Sequence, residues 1–360
     1  MKTQSTKIAA LALVTALAIA SCGGGEETVA PQDMQVSDST LWPLTQLPGP
    51  QDATSQPVLA IKVEDDQSVR PQYGLDGADL VVEELVEGGI TRFVAFFQST
   101  IPDEVGPIRS ARHVDASIVS PLADYFVVSG ASGVTLAYLD QSMPINIVRV
   151  YEGGDGIHRT NYHSAPHNLF VYPMDIIASN KAAKSETAGL FKRPDAMGAT
   201  PAAASVLTDG ESVTAVKLEF SKGKKPSWSW DSAKGVWLRN DGSKPHMAIS
   251  GNQLSAKNLV VLRVTTVDAG YKDPAGGYVP RTVLEGTGAG FAVLGDKKIP
   301  VTWSKADVKA QIVLTDSAGS VVGLLPGNTW VELIPTEGDV SFVAGSASAA
   351  SPSASPSASK

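Results

Sequence analysis

Among its 360 residues the chain has one cysteine, Cys22. No intramolecular disulfide can staple it, so a stable fold must rest on a hydrophobic core. The length permits this, because a chain of this size buries most of the surface its unfolded form exposes. The position of the thiol is equally informative. It closes a leader that opens Met1-Lys2-Thr3-Gln4-Ser5-Thr6-Lys7, continues as an apolar run from Ile8 to Ala20, and ends Ser21-Cys22-Gly23-Gly24-Gly25. A basic start, a short apolar stretch and small residues are the marks of an export signal. The run falls short of the roughly 20 apolar residues of a membrane-spanning helix.

The residues Ile19-Ala20-Ser21-Cys22 resemble the lipobox of bacterial lipoproteins. The resemblance implies a thioether-linked diacylglycerol on Cys22, cleavage just before it, and display outside the cytoplasmic membrane. The alternative, an ordinary cut after Ala18-Ile19-Ala20, leaves a purposeless thiol near the mature N-terminus. The lipid bilayer is thus the first expected partner, since two or more acyl chains anchor stably. Removing residues 1–21 removes Lys2 and Lys7 and no acid, which takes the formal charge from −8 to about −10. That acidic balance, without a basic stripe, argues against a nucleic-acid partner.

Composition divides the remainder. Residues 22–56 are Gly-, Ser-, Thr- and Pro-rich and read as a flexible tether, with Trp42, Pro43 and Leu44 positioned to dock on the domain. Residues 57–204 mix short apolar runs with helical spacing and predict an α+β or mixed α/β domain. Strands are expected at Pro57–Val63, Asp79–Val86 and Ile90–Gln98, with Gly88-Gly89 as a hairpin turn. Helices are expected within His113–Tyr125, Val134–Leu139 and Leu169–Ala183. Residues 205–340 carry short apolar runs at Val213–Phe220, Leu259–Thr265, Phe291–Leu294, Gln311–Leu314, Val321–Leu325 and Trp330–Ile334. Turn residues separate them and predict a smaller, β-rich domain. Residues 341–360 end in a Ser/Ala/Pro tail.

Several segments are similar to one family, the YerB-like bacterial lipoproteins of unknown function. They are Arg70-Pro71-Gln72-Tyr73-Gly74-Leu75, Ala78-Asp79-Leu80-Val81-Val82-Glu83, Val86-Glu87-Gly88-Gly89-Ile90-Thr91-Arg92-Phe93, Gly106-Pro107-Ile108-Arg109-Ser110-Ala111-Arg112 and Ala165-Pro166-His167-Asn168-Leu169. Gly286-Thr287-Gly288-Ala289-Gly290 and Gly327-Asn328-Thr329-Trp330-Val331 extend the likeness into the second half. The resemblance implies a two-domain lipoprotein and brings no activity. The histidine-rich run 158–167 departs from it.

Chemistry must therefore be sought in the residues. Arg109 and Arg112 precede a predicted helix, where two guanidinium groups and backbone N–H groups can converge on an anion. The competing structural reading pairs an arginine with Glu83, Glu84 or Glu87 of the neighbouring strand. The second polar segment runs from Asp155 to Asn168. Its Arg159, His167 and Asn168 are candidates for the same pocket, and Glu87 completes the candidate binding set. The competing reading has His167 and Asn168 cap the helix expected after Leu169. His158, His163 and His167, even with Asp140 or Asp155, lack the spacing of a helical metal site, so no metal is expected. No cofactor motif appears: Gly286–Gly290 lies among strands and opens no helix, so it marks a close backbone approach in a sheet. Trp228, Trp230, Trp237, Trp303 and Trp330 read as β-domain core, with exposed sugar stacking as the alternative.

These features favour a binding lipoprotein whose guest is an anionic small molecule or envelope glycan. The rival classes are a hydrolase of envelope glycans or phosphodiesters, with Glu84, Glu87 or His167 as acid and base, and a protein assembly factor. No reaction is assigned from sequence.

Overall fold

The computed structural model describes residues 40–143, 145–149, 156–180, 189–193, 206–273 and 276–345. Leader, Cys22, the first part of the tether, Asp155, the boundary near 204 and residues 346–360 lie outside the described residues, and the expected tail starts later than 341 because 341–344 belong to the paired strand Asp339–Ala344.

Strands β2 (Leu80–Leu85) and β3 (Thr91–Phe97) form the expected antiparallel hairpin around Gly88-Gly89, and β1 (Leu59–Glu64) pairs antiparallel with β3 on its other edge. Strand β4 (Tyr125–Val128) joins β1 in parallel, and β5 (Asn146–Arg149) joins β4 in parallel. The crossovers carry α1 (Asp115–Val119) and α2 (Gly133–Ser142), the latter capped by the Ser132 hydroxyl, which accepts from Thr135 N at 3.2 Å. The helix expected over 113–125 shrinks to α1, because Pro121 supplies no N–H and the chain must straighten into β4. The helix expected from Leu169 is split. Strands β6 (Ile157–Arg159) and β7 (Leu169–Val171) pair as a ribbon, and α3 (Pro173–Ser179) opens on a proline, which suits a first helical turn.

The second half is mostly β, after a short helical turn at 206–209. It comprises β8 (Glu211–Glu219), β9 (Pro226–Asp231), β10 (Val236–Asp241), β11 (Lys244–Pro245), β12 (Ser255–Ala256), β13 (Asn258–Lys272), β14 (Tyr278–Val283), β15 (Gly286–Leu294), β16 (Lys297–Lys305), β17 (Val313–Thr315), β18 (Thr329–Pro335) and β19 (Asp339–Ala344). The run at 321–325 makes an isolated bridge, Val321 to Thr315, in place of a strand. Gly288 shows why glycines crowd β15: a Cβ there would stand 2.6 Å from Trp303 Nε1 and 2.9 Å from Arg263 O.

The halves are joined through backbone pairing. β2 runs parallel to β18, Leu80 opposite Thr329 and Glu83 opposite Glu332. One large sheet results, in the order β5-β4-β1-β3-β2-β18-β13-β15-β16-β17. A second layer, β19-β8-β9-β10, packs on one face and meets the large sheet through β8 and β16. The fold is thus mostly β, and among the described residues the first half contributes three short α-helices and four single-turn 3-10 helices. Alternate residues serve the two faces, as the pleat requires. Ala60, Val82, Val94 and Phe96 pack under α1 and α2. Ile61, Val81, Phe93 and Trp330 pack against Trp228 and Trp237 of the second layer. Each such aromatic buries on the order of 200 Å², so these tryptophans belong to the core and present no platform for sugars.

The expected tether is shortened at its far end. Pro43, Thr45 and Ala53 are buried, Leu44 packs against the core, and the Thr45 carbonyl accepts from Gly327 N at 2.7 Å.

Candidate functional site: two arginine-lined hollows

The segment Val105–Arg109 brings the two polar loops together by lying between β1 and β7. On one side Glu64 N donates to Pro107 O (3.0 Å) and Arg109 N to Lys62 O (2.8 Å). On the other, Val105 N donates to Val171 O (2.9 Å) and Ile108 N to Leu169 O (2.8 Å). Gly106 is required there, since a Cβ would stand 2.5 Å from the Phe170 ring.

Each candidate residue finds a protein partner. Arg112 holds Glu87 through Nε at 2.9 Å and through Nη2, while its Nη1 donates to Ala111 O at 2.7 Å. The structural pairing weighed from sequence is therefore present, with Glu87 as the acid. The Arg112 backbone N–H donates to Asp115 Oδ2 at 2.6 Å, so that helix-end donor is used internally. Arg109 donates to Pro166 O at 3.2 Å, and its Nε lies 3.3 Å from Glu64 Oε1. His167 Nδ1 lies 2.9 and 3.0 Å from the two Glu64 oxygens. Arg159 donates to Asn168 Oδ1 at 2.7 Å, and Asn168 donates to Thr160 O at 3.2 Å. With Leu169–Val171 in a strand, His167 and Asn168 cap no helix.

The arginines open onto two adjacent hollows, where convergence on one guest had been expected. The larger, about 560 Å³, is lined by Arg92, Arg112, Glu87, Lys272 and Asp273 among others. The smaller, about 300 Å³, is lined by Arg109, Arg159, Ser129 and Pro166 among others, with no carboxylate in its wall. Ser110 and Ala131 line both. The Ser110 and Ser129 hydroxyls lie 3.2 Å apart. His167 and Asn168 line neither hollow and brace the loop behind the smaller one.

Arg92 had no assigned role in the sequence reading. It is 8 % exposed and sits on β3 directly opposite Glu64 of β1 and Glu84 of β2, so all three project from the same face. Both acids are engaged elsewhere: Glu64 holds Arg109 and His167, and Glu84 holds Lys62. Arg92 is left with a carbonyl, Ser110 O at 2.7 Å, and among the described residues no carboxylate forms an ion pair with it. Burial, then the charges of Arg112 and Arg109, bring its pKa down to about 9. A guanidinium does not give up its proton at neutral pH, so the penalty is carried by the fold.

Beneath this site lies a buried triad. Lys62 pairs with Glu84 and, at 2.7 Å, with Asp115, all three fully buried. Burial raises Glu84 to about 7 against the opposing pull of Lys62. The opposite sheet face carries a second buried cluster. Arg239 pairs with Glu83 at 2.6 Å and Glu332 at 3.3 Å, and lies 5.1 to 5.5 Å from the ring centres of Trp330, Phe93 and Trp228. Burial and Glu83 push the Glu332 carboxyl well up. This cluster fastens the second layer to the large sheet. The histidines disperse, His158 to Glu104 at 2.7 Å and His167 to Glu64, and among the described residues no group of three His, Cys, Asp or Glu is placed to hold a metal.

Fold and site together define a mostly β protein of two interlocked halves, with two arginine-lined hollows beside β3. Residues 44–187 match the N-terminal domain, and residues 216–331 the C-terminal domain, of the family described as "Protein of unknown function (DUF3048)". The chain belongs to that family. It is 29% identical over 304 residues to the Bacillus subtilis (strain 168) protein described as "Putative lipoprotein YerB", covering 81% of this chain and 86% of that one. The crystal structure of YerB from Bacillus subtilis shares the fold, with a TM-score of 0.69 and 24% identity over 84% of this chain and 99% of that one.

Proposed function

We propose that the protein is a lipoprotein acylated on Cys22, held outside the cytoplasmic membrane, that binds an anionic envelope ligand in the hollow beneath Arg92 and Arg112. The leader and lipobox support the anchor, and the relative's description as a lipoprotein agrees with it. Residues 1–21 act as the signal and the stretch from 22 as a tether. The first family domain works as a mixed α/β layer and the second as its β-rich brace. The binding reading is carried by one observation: Arg92 is a buried cation that forms no ion pair among the described residues, and it borders a hollow of about 560 Å³ whose wall also carries Glu87 and Asp273. A buried charge of this kind is relieved by an incoming anion. The hydrolase reading has less support, because Glu84, Glu87 and His167 are already held by Lys62, Arg112 and Glu64.

Two measurements test the proposal. Cys22→Ala is expected to move the protein from the membrane fraction to the soluble fraction, and unchanged fractionation refutes the anchor. Calorimetric titration of the full-length protein in detergent with inorganic phosphate is expected to show saturable, salt-sensitive binding. Absence of binding at millimolar phosphate and low salt refutes the anion site.

A further inference from the structure

The two hollows are built alike. Each contains one arginine held by an acid, Arg112 by Glu87 in the larger and Arg109 by Glu64 in the smaller. Each also contains one arginine whose recorded partner is neutral: Arg92 on the Ser110 carbonyl and Arg159 on the Asn168 amide oxygen. The wall between them is Ser110 and Ala131, with the Ser110 and Ser129 hydroxyls at its lip. Two cations that form no ion pair among the described residues, one on each side of this two-residue partition, present two places for negative charge.

We infer that the ligand is a bis-anion of the phosphate type, with one phosphate group over Arg92 and Arg112 and a second over Arg109 and Arg159. This inference rests on the anion-binding reading above and adds to it the number and placement of the charged groups. The guanidinium fork suits phosphate oxygens at each position, and the serine hydroxyls suit the ester oxygens or scaffold hydroxyls between them. Linking two groups makes the second binding event intramolecular, so a bisphosphate should bind about 100-fold more tightly than either half.

The test compares fructose 6-phosphate with fructose 1,6-bisphosphate on the full-length protein, by calorimetry at fixed ionic strength. The bisphosphate is expected to bind about 100-fold more tightly. Arg159→Gln is expected to erase that advantage, bringing the ratio of bisphosphate to monophosphate affinity from about 100 down to about 1. Arg92→Gln is expected to weaken both probes. Arg159 is exposed and its replacement leaves the core intact, so this variant remains decisive if Arg92→Gln fails to fold. Equal affinities for the two probes, or a bisphosphate advantage that survives Arg159→Gln, overturn the inference and leave single-anion binding standing. No binding of either probe overturns both.

Discussion

Replacing Arg92 with methionine removes the charge and keeps an unbranched stem of similar reach. For an ordinary buried ionic residue this is damaging. Here the opposite is expected. Burial and two neighbouring arginines lower the guanidinium from its ordinary value to about 9, which corresponds to a penalty on the order of 5 kcal/mol on the charged form. A base with a depressed folded pKa carries that penalty in full below about 9, and relief begins only as pH rises through it. The compensating bond to Ser110 O is charge-assisted and contributes about 1.5–3 kcal/mol. Ser110 O keeps a second donor, Arg112 Nη1 at 3.3 Å, so its loss strands no acceptor. The ligand-free variant should therefore be as stable as the parent, or more stable by about 2 kcal/mol, worth several degrees in a chain of this size. Thermal unfolding with and without saturating phosphate reads both quantities. The parent should gain stability from phosphate, about 2.7 kcal/mol at a hundredfold excess over its Kd, and Arg92→Met should gain clearly less, through the position at Arg109 and Arg159 alone. A phosphate-free variant that unfolds more easily by over about 2 kcal/mol, or one that phosphate stabilises as much as the parent, would show that the charge is satisfied within the fold.

Two further outcomes follow from the buried charges. Glu84, raised by burial to about 7, favours folding in its protonated form. That contribution is complete below the ordinary carboxyl range and is lost as pH rises through about 7, on the order of 3 kcal/mol. Glu84→Gln should remove this slope, so urea midpoints of parent and variant should diverge between pH 5 and 8, and parallel curves would contradict the assignment. Arg239→Met leaves Glu83 and Glu332 without their guanidinium and should destabilise by about 3–5 kcal/mol. Tryptophan fluorescence during urea unfolding checks this, because Trp228 and Trp330 flank the removed group, and a loss below about 1 kcal/mol would refute it.

The hairpin at 79–98 was legible because strand-length apolar runs flank a glycine pair, and a hairpin needs nothing beyond its own sequence. The parallel pairing of β2 with β18 was not. Val81-Val82 and Trp330-Val331 read equally well as buried strands anywhere, and periodicity fixes which face is buried without naming the partner. Residues 169–171 misled for a related reason. Leu169-Phe170-Val171 is apolar enough for a helix or a strand, and tertiary pairing with Ile157–Arg159 and with Val105 decided it. Gly286–Gly290 was read correctly, because a glycine-rich run that opens no helix has few uses beyond close packing of backbone.

The site was legible in part, and what was missed is instructive. Arg112 and Glu87 flank recognisable turns, so their pairing could be weighed in advance. Arg92 sits inside Thr91-Arg92-Phe93-Val94, where a strand pattern hides it. A signal existed nonetheless. Lys62, Glu64, Glu84 and Arg92 all occupy inward positions of strands that are otherwise apolar, alternating with Ile61, Val63, Glu83 and Phe93 on the other face. A sheet selected for stability alone gains from apolar residues of similar volume at such positions. Charges kept there must be placed by something other than folding. Lys62, Glu84 and Asp115 satisfy one another, and Glu64 satisfies Arg109 and His167. Arg92 is the member of that row left without an acid, and it faces the opening. The row therefore reads as a buried frame that holds one cation beside the larger hollow, with Glu87 and Glu84 acting on it without an ion pair.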